Sequence, residues 1–266
     1  MTRDVRGPSS ARDSDQHREQ AASVSGADPS QAGPDSSHRA RTRSFTRRGG
    51  RMKDRHASAY EALAPRYVVD VPRGEGGATT VDPAYRLDLP ALFGRTAPLV
   101  VEVGSGSGDA LREGAAARPD WDFLALEVWR PGIAQTLARM GDEPLPNVRF
   151  VEADAAQALG TLLAPGSAAQ IWTYFPDPWP KHKHHKRRLV AVPFVDVVHR
   201  VLVDGGVWRL ATDWAHYGRH IRTVLDADDR FELVSTDRAS LRPMTRFETK
   251  GLRAGREITD LAYRPR

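Results

Sequence analysis

Short apolar runs that alternate with longer amphipathic runs constrain the fold of this chain more than any other feature of its sequence. Runs with the length and composition of buried strands are Leu99–Val103, Phe123–Val128, Val148–Glu152, Ile171–Tyr174, Val207–Ala211, Phe231–Ser235 and Ile258–Tyr263. Helical spacing of apolar residues is found at His56–Tyr67, Asp109–Ala117, Pro131–Met140, Lys186–Leu202 and Trp214–Ala227. This alternation predicts an α/β protein with a mostly parallel, seven-stranded sheet flanked by helices.

The first part of the chain differs in composition from the rest. Residues 1–43 contain no Phe, Trp, Tyr, Leu or Ile and are rich in Ser, Asp, Arg, Gly and Pro. Such a segment buries too little apolar surface to offset an ordering entropy of roughly 1–2 kcal/mol per residue. We therefore predict a disordered leader over residues 1–43 and one globular domain over residues 44–266.

Features that the sequence lacks disfavour several classes of protein. The N-terminus has no apolar segment of the secretory type, and no run of about 18 apolar residues would span a membrane. The chain has no cysteine, which excludes disulfides and thiolate metal sites. We expect a cytoplasmic protein without a membrane partner, and a monomer and a homodimer both fit the sequence.

Positive charge is concentrated in two segments. Residues 39–55 carry eight Arg or Lys against one acid, and residues 180–188 carry five with no acid. The whole chain has a net charge of only +5, so the remainder is acidic. A basic run is often merely solvated, but two such runs in one chain are typical of a protein that binds a polyanion. They predict a nucleic-acid partner.

A glycine-rich turn follows the first predicted strand. Gly104, Gly106 and Gly108 let the backbone pass close to a ligand, although an ordinary tight turn is the alternative. The spacing is G-x-G-x-G, and Asp109 stands where dinucleotide-binding folds have their third glycine. A pyrophosphate at that helix start would be repelled by the carboxylate.

Acidic residues accompany three successive predicted strands. Glu102 precedes the glycines, Glu127 ends the second strand, and Asp154 follows the third. In sheets of this class, ligands bind at the carboxyl ends of the strands. These acids can hold the amino group, the ribose hydroxyls and the adenine amino group of a nucleoside joined to an amino acid. That pattern predicts S-adenosylmethionine as the ligand.

A stiff acidic loop follows the fourth predicted strand. Prolines 176, 178 and 180 restrict the backbone around Asp177, and Trp179 is a candidate for packing or base stacking. A structural Asp that caps a turn is the alternative. Next come His182, His184 and His185, whose spacing in a lysine-rich run favours phosphate contacts over a metal site, and we predict no metal.

The sequence resembles the bacterial tRNA (guanine-N7)-methyltransferases over about residues 43–266. The segments that carry the resemblance are RSFTRRGGRM (43–52), VEVGSGSGD (101–109), FLALEV (123–128), FPDPWPKHKHHKRR (175–188), ATDW (211–214) and TRFETKGLRAGREITDL (245–261). The resemblance implies a Rossmann-like class I methyltransferase fold, S-adenosylmethionine as cofactor and tRNA as partner. It also implies that the methyl acceptor is N7 of the variable-loop guanine, position 46 in tRNA numbering.

Carried over by position, the resemblance also implies roles for single residues. The residues implied to contact the donor, together with the two glycines of the turn, are Glu102, Gly104, Gly106, Glu127, Asp154 and Asp177, of which Asp177 is the implied catalytic residue. The residues implied to contact the tRNA guanine are Lys181, Asp213, Thr245, Arg246, Phe247 and Glu248. The family pattern would have Gln near Gly49, Asn at His185, Lys at Arg246, Arg at Lys250 and His at Arg256, so contacts at these positions stay open.

The chemistry of guanine N7 matches this set of residues. N7 has an in-plane lone pair and no proton, so its attack on a sulfonium methyl group needs no general base. We therefore expect Asp177 to orient guanine and donor, a contribution that can reach roughly 7–11 kcal/mol. Asp213 and Glu248 are further carboxylates for the N–H groups of guanine.

Three other functions fit parts of the pattern. A methyltransferase of the same fold acting on a protein or small molecule would not need the two basic segments. A non-catalytic RNA-binding protein would not need the set Glu102, Glu127 and Asp154. A nicotinamide dehydrogenase would not have Asp109 at the pyrophosphate position.

Overall fold

A computed structural model describes residues 52–266 of the protein. The predicted leader and most of the first basic segment lie outside these residues. The helices are α1 (Asp54–Tyr67), α2 (Leu89–Phe93), α3 (Asp109–Ala117), α4 (Arg130–Met140), α5 (Ala155–Leu162), α6 (Val192–Val201), α7 (Ala215–Asp226) and α8 (Arg246–Arg253). The strands are β1 (Leu99–Val103), β2 (Asp122–Leu126), β3 (Val148–Val151), β4 (Ala168–Tyr174), β5 (Leu202–Thr212), β6 (Phe231–Ser235) and β7 (Thr259–Pro265).

The strands form one sheet of seven, in the order β3-β2-β1-β4-β5-β7-β6. Strands β1 to β5 run parallel to one another, whereas β7 runs antiparallel between β5 and β6. The predicted mostly parallel, seven-stranded sheet is therefore confirmed. The parallel arrangement brings the carboxyl ends of β1 to β5 to one edge of the sheet, which is where the predicted site residues follow the strands.

Helices cover both faces of the sheet. On one face, Leu111 of α3 and Ile133 of α4 pack with residues of β1 to β3, and α1 joins them through Tyr67. On the other face, α5, α6 and α7 contribute buried residues such as Leu159 and Val198. All five residues of β1 are buried, because this strand lies in the middle of the sheet and is covered on both sides.

The helix predicted at Lys186–Leu202 is wrong in its first part. Residues His182–Arg187 form a short 3₁₀ helix, and α6 begins only at Val192. Pro193 occupies the first turn of α6. A proline is favoured in the first turn of a helix and disfavoured in its interior, because it has no N–H group and clashes with the preceding turn.

Three short helices were not predicted, and each begins with a side chain that caps it. Asp88 accepts a hydrogen bond from the backbone of α2, Asp154 from that of α5, and Thr245 from that of α8. Such caps satisfy backbone N–H groups that the helix itself leaves unpaired. Within residues 52–266, no helix has the length and apolar character needed to cross a lipid bilayer.

Candidate active site

A cavity of about 600 Å³ opens at the carboxyl ends of the parallel strands. This volume falls in the range of small-molecule sites, about 300–1,000 Å³. Predicted site residues that line it are Glu102, Gly104, Gly106, Glu127, Asp154, Asp177, Thr245, Arg246 and Phe247. The cavity thus brings together the predicted donor residues, the predicted catalytic residue and half of the predicted guanine contacts. Lys181, Asp213 and Glu248 do not line it.

The glycine turn after β1 is held against the end of β2. The N–H of Gly104 donates to the carbonyl of Leu126 at 2.8 Å, and that of Gly106 donates to Glu127 Oε2 at 2.6 Å. Gly104 and Gly106 have φ angles of 76° and 56°, which side-chain-bearing residues rarely adopt. The second oxygen of Glu127 accepts from the N–H of Trp129 at 2.7 Å. Glu127 therefore shapes the turn as well as facing the cavity.

Glu102 has an incompletely satisfied carboxyl group inside the cavity. Its side chain is 3% exposed, and Oε2 has no hydrogen-bond partner among the described residues. Burial raises the pKa of Glu102 to about 8, and the negative charges of Glu127 and Asp109 add to this effect. A buried acid with an unpaired oxygen and negative neighbours fits a ligand with a cationic group. The ammonium group of S-adenosylmethionine has that chemistry.

Two further acids of the cavity, Asp154 and Asp109, lie at helix starts. Asp154 caps α5 by accepting from the N–H of Ala156 at 3.0 Å, and its own N–H donates to the carbonyl of Thr79 at 2.8 Å. Asp109 begins α3, accepts from the hydroxyl of Ser107 at 3.1 Å and pairs with Arg139. Both carboxylates are thus held in place by the fold.

The loop that carries Asp177 has an unusual backbone. Phe175 and Trp179, two residues to either side of Asp177, have φ angles of 52° and 46°. Non-glycine residues in this region cost of order 1–3 kcal/mol each and persist only where the surrounding structure holds them. The N–H of Phe175 donates to the carbonyl of Ala211 at 2.8 Å, which joins the loop to the end of β5. Such strain is concentrated at functional sites.

A buried arginine holds the other side of this loop. Arg188 is 3% exposed, and its Nε donates to the carbonyl of Pro178, the residue after Asp177, at 3.0 Å. Its Nη2 lies 3.0 Å from Nδ1 of His216, and the guanidinium lies 5.0 Å from the centre of the Tyr217 ring. Burial lowers the pKa of Arg188. In the sequence, nothing distinguishes this buried arginine from the cations that precede it in the basic run.

The histidines of the loop pack with their neighbours. The ring of His184 lies edge-on to Trp179, with 5.8 Å between centres, and the ring of His185 lies 5.0 Å from that of His216. Arg187 covers the Trp179 ring at 3.7 Å. In the part of the chain that the structure describes, no three His, Cys, Asp or Glu side chains are arranged to hold a metal ion.

Glu248, predicted to contact guanine, lies in a buried ion-pair network. The residue is 2% exposed, and its carboxylate pairs with Arg242 at 2.6 Å and Arg238 at 3.1 Å. Burial opposes ionisation, but the hydrogen bonds and charges of these arginines outweigh it and lower the pKa of Glu248. Arg242 also pairs with Asp260 at 2.8 Å and lies 5.5 Å from the Phe175 ring centre. The network therefore connects α8, β7 and the Asp177 loop.

Two further predicted guanine contacts lie outside the cavity wall. Asp213 pairs with Arg256 at 2.8 Å, which ties the end of β5 to the segment after α8. Lys181 is exposed at the start of the 3₁₀ helix. By contrast, the ring of Phe247 faces the glycine turn, since a Cβ atom added to Gly106 would lie 3.8 Å from its Cε2. Helix α8 therefore forms the wall opposite the turn.

The cavity also has lining residues that were not assigned to the site from the sequence. They are chiefly Trp129, Leu189, Thr249, Lys250 and Arg253. For Trp129 the available signal was its position two residues after Glu127. For Lys250 and Arg253 the signal was their helical spacing from Arg246, which becomes informative only once α8 is known to exist.

Comparison with known proteins identifies relatives over most of the chain. A family model described as "Putative methyltransferase" matches residues 96–261. A tRNA (guanine-N(7)-)-methyltransferase of Nocardioides sp. is 48% identical over 222 residues, which are 84% of this chain and 86% of the relative. A protein of the same name from Halorhodospira halophila is 43% identical over 85% of this chain and 95% of the relative.

The fold is similar to that of a solved methyltransferase of lower sequence identity. The aminoglycoside resistance methyltransferase NpmB1 superposes with a TM-score of 0.50 and 16% identity, over 73% of this chain and 98% of that chain. At this identity the likeness concerns the fold alone, and the sequence relatives identify the family. The chain belongs to the family of tRNA (guanine-N(7)-)-methyltransferases, class I enzymes that take their methyl group from S-adenosylmethionine.

Proposed function

We propose that this enzyme methylates N7 of the variable-loop guanine of tRNA, forming 7-methylguanosine. The observation that carries the proposal is the shared cavity, which Asp177 lines together with Glu102 and Glu127 and with the α8 residues Arg246 and Phe247. Relatives 48% and 43% identical have tRNA (guanine-N7) methylation in their names. A cytoplasmic location belongs to the same proposal, because tRNA is used there.

The donor side of the cavity has three distinct tasks. S-adenosylmethionine supplies an electrophilic methyl group on a positively charged sulfur. Glu102 holds the ammonium group with its unpaired oxygen, Glu127 accepts from the ribose hydroxyls, and Asp154 accepts from the adenine amino group. The apolar walls near Val103 and Leu126 exclude water from the ligand.

On the acceptor side, alignment is the main task. Guanine N7 needs no base to become nucleophilic, so Asp177 fixes the purine by accepting from its N–H groups and faces the positive charge that the purine acquires. The prolines, Arg188 and the two strained residues hold Asp177 in position before the substrate arrives. Lys181 contacts the tRNA backbone, while Asp213 and Glu248 support the guanine side through Arg256 and Arg242.

Mapping the methylated base tests the proposal directly. We expect tRNA incubated with enzyme and S-adenosylmethionine to gain one 7-methylguanosine, located in the variable loop by mass spectrometry of nuclease fragments. The same tRNA with adenine at that position should gain none. Methylation of another base would contradict the proposal. Equal methyl transfer before and after nuclease digestion of the tRNA would also contradict it, because the acceptor would then be a protein or a small molecule.

Donor binding should depend on pH through Glu102. In the unliganded protein the pKa of Glu102 is about 8, and the ammonium group requires the ionised form, so binding below that pH must expel a proton. Affinity should rise with pH by up to about tenfold per unit until it levels near pH 8. Calorimetry at pH 7 in buffers of different ionisation heat should report the release of roughly one proton.

The variants Glu102→Gln and Glu113→Gln separate charge from packing. Glu113 is exposed on α3 and serves as the control. Glu102→Gln should weaken donor binding at least about tenfold at pH 8 and abolish proton release. It should also remove a pH dependence of the free energy of unfolding. The pKa of Glu102 rises from 4.5 to about 8 on folding. The folded state therefore binds a proton more tightly than the unfolded state, and it loses stability as the pH rises toward 8. Unchanged proton release in Glu102→Gln would refute this role.

A further inference from the structure

A row of cations lines one wall of the cavity. Arg246, Lys250 and Arg253 are exposed on α8, and all three border the cavity. Their spacing of four and three residues places them on one face of the helix. Across residues 52–266, none of the three forms an ion pair with a carboxylate. We call these residues the α8 cation row.

The other arginines around α8 are neutralised by the fold. Arg238 and Arg242 pair with Glu248, and Arg256 pairs with Asp213. Neither of these two carboxylates lines the cavity. The acids near α8 are thus paired elsewhere, and the three cations of the row have no ion-pair partner among residues 52–266, although acids line the strand-end side of the same cavity. Such a row attracts an anion.

The donor alone does not account for this charge. S-adenosylmethionine carries a single carboxylate, whereas the row has three cations. A guanosine within an RNA chain carries a phosphodiester on each side of it. Seven residues of helix separate the first and last cation of the row, a distance of about 10 Å, enough to reach consecutive phosphates.

We propose that the α8 cation row binds the phosphodiester groups that flank the target guanosine. The inference rests on the proposed function, because it takes an RNA nucleotide as the group that enters the cavity. Phosphate contacts fix position without reading sequence, so the row sets where the nucleotide lies and leaves base selection to other groups. A base that must leave its stack to react is held by its backbone while it enters the pocket.

The triple variant Arg246→Ala/Lys250→Ala/Arg253→Ala tests the site. RNA binding is measured against salt concentration without donor, and donor binding is measured separately by calorimetry. The slope of log affinity against log salt should become shallower by about 1.5–2.5 for two or three lost phosphate contacts. RNA affinity near 0.15 M salt should fall by about tenfold or more, while donor affinity stays within about twofold.

A control variant removes exposed charge at the opposite edge of the sheet. Arg118 precedes β2 and Arg266 follows β7, and both are exposed. Arg118→Ala/Arg266→Ala should leave the salt slope within about 0.5 of the wild-type value. A triple variant whose slope matches that of this control would overturn the site. Donor affinity that falls as far as RNA affinity would also overturn it, because the bound anion would then be the donor carboxylate.

Two further measurements keep the test decisive. The thermal unfolding temperature of the triple variant should match that of wild type. The single variant Arg253→Glu, in the last turn of α8, should lower RNA affinity as the triple variant does. Because RNA binding is measured without methyl transfer, the two proposals fail separately. A wild-type enzyme that binds tRNA through the row but methylates another base refutes the proposed function alone. If the wild-type enzyme methylates the expected guanine but the triple variant keeps the wild-type salt slope, the α8 site alone is refuted.

Discussion

Asp177→Asn should lower kcat by about a hundredfold or more while donor affinity changes only a few-fold. Asn has the same size but offers one acceptor oxygen in place of two, and it has no negative charge to face the developing positive charge. Since no proton is removed from N7, the residual activity of the variant should keep the pH dependence of wild type. Single-turnover methyl transfer to tRNA across pH measures both expectations.

Two further variants show whether the loss of activity in Asp177→Asn comes from the charge and position of this side chain. Asp204→Asn changes an exposed carboxylate near the start of β5, at the far edge of the sheet, and should leave kcat unchanged. Asp177→Glu keeps the charge but extends the side chain. The loop cannot move back to make room, because Arg188 and the strained residues hold it. This variant should therefore also lose most of its activity. A wild-type profile that shows a titrating base, lost in Asp177→Asn, would mean that Asp177 removes a proton.

Gly132→Ala should collapse the donor site. A Cβ atom at Gly132, in the first turn of α4, would lie 2.1 Å from the carbonyl oxygen of Gly106 and 2.7 Å from the Trp129 ring. The first of these neighbours is backbone of the glycine turn and cannot rotate away. Overpacking of this kind costs about 1–3 kcal/mol of stability, and the displaced turn should weaken donor binding by about tenfold or more.

Gly141→Ala, at the other end of the same helix, is the matched control. Gly141 has a φ of −60°, and a Cβ atom there would meet nothing closer than 3.5 Å. Alanine should therefore leave donor binding unchanged and raise stability by about 0.5 kcal/mol. Donor calorimetry and thermal unfolding of both variants give the comparison. Equal donor affinity in Gly132→Ala and wild type would show that the turn is not rigid at Gly106.

The parts of the fold that local sequence determines were predicted well. Strand β1 and helix α3 have the predicted bounds, because an apolar run and an amphipathic run meet there at a glycine turn. The error at Lys186–Leu202 has a local cause too, because Pro193 favours a helix start over a helix interior. Helix α8 was missed because its eight residues RFETKGLR include only two large apolar side chains, both exposed, and the helix is fixed by a threonine cap and by ion pairs.

The same distinction between local sequence and long-range packing applies to the residues of the candidate site. Residues that follow parallel strands, such as Glu127 and Asp177, reach the cavity because topology gathers strand ends at one edge. Glu248 does not line the cavity because its partner Arg242 is fixed by long-range packing with β7 and the Asp177 loop. Nothing in the spacing of TRFE separates a carboxylate that binds a ligand from one that holds two arginines.

The position of β7 in the sheet has a consequence for biosynthesis. Strand β6 has β7 as its sheet neighbour, and β7 is translated after both β6 and α8. A nascent chain on the ribosome can pair β1 to β5 early, whereas β6 waits for β7 before it joins. The strand-end side of the cavity thus forms before the wall made by α8 is fixed against β7, and an incomplete polypeptide exposes an unpaired β5 edge that invites aggregation.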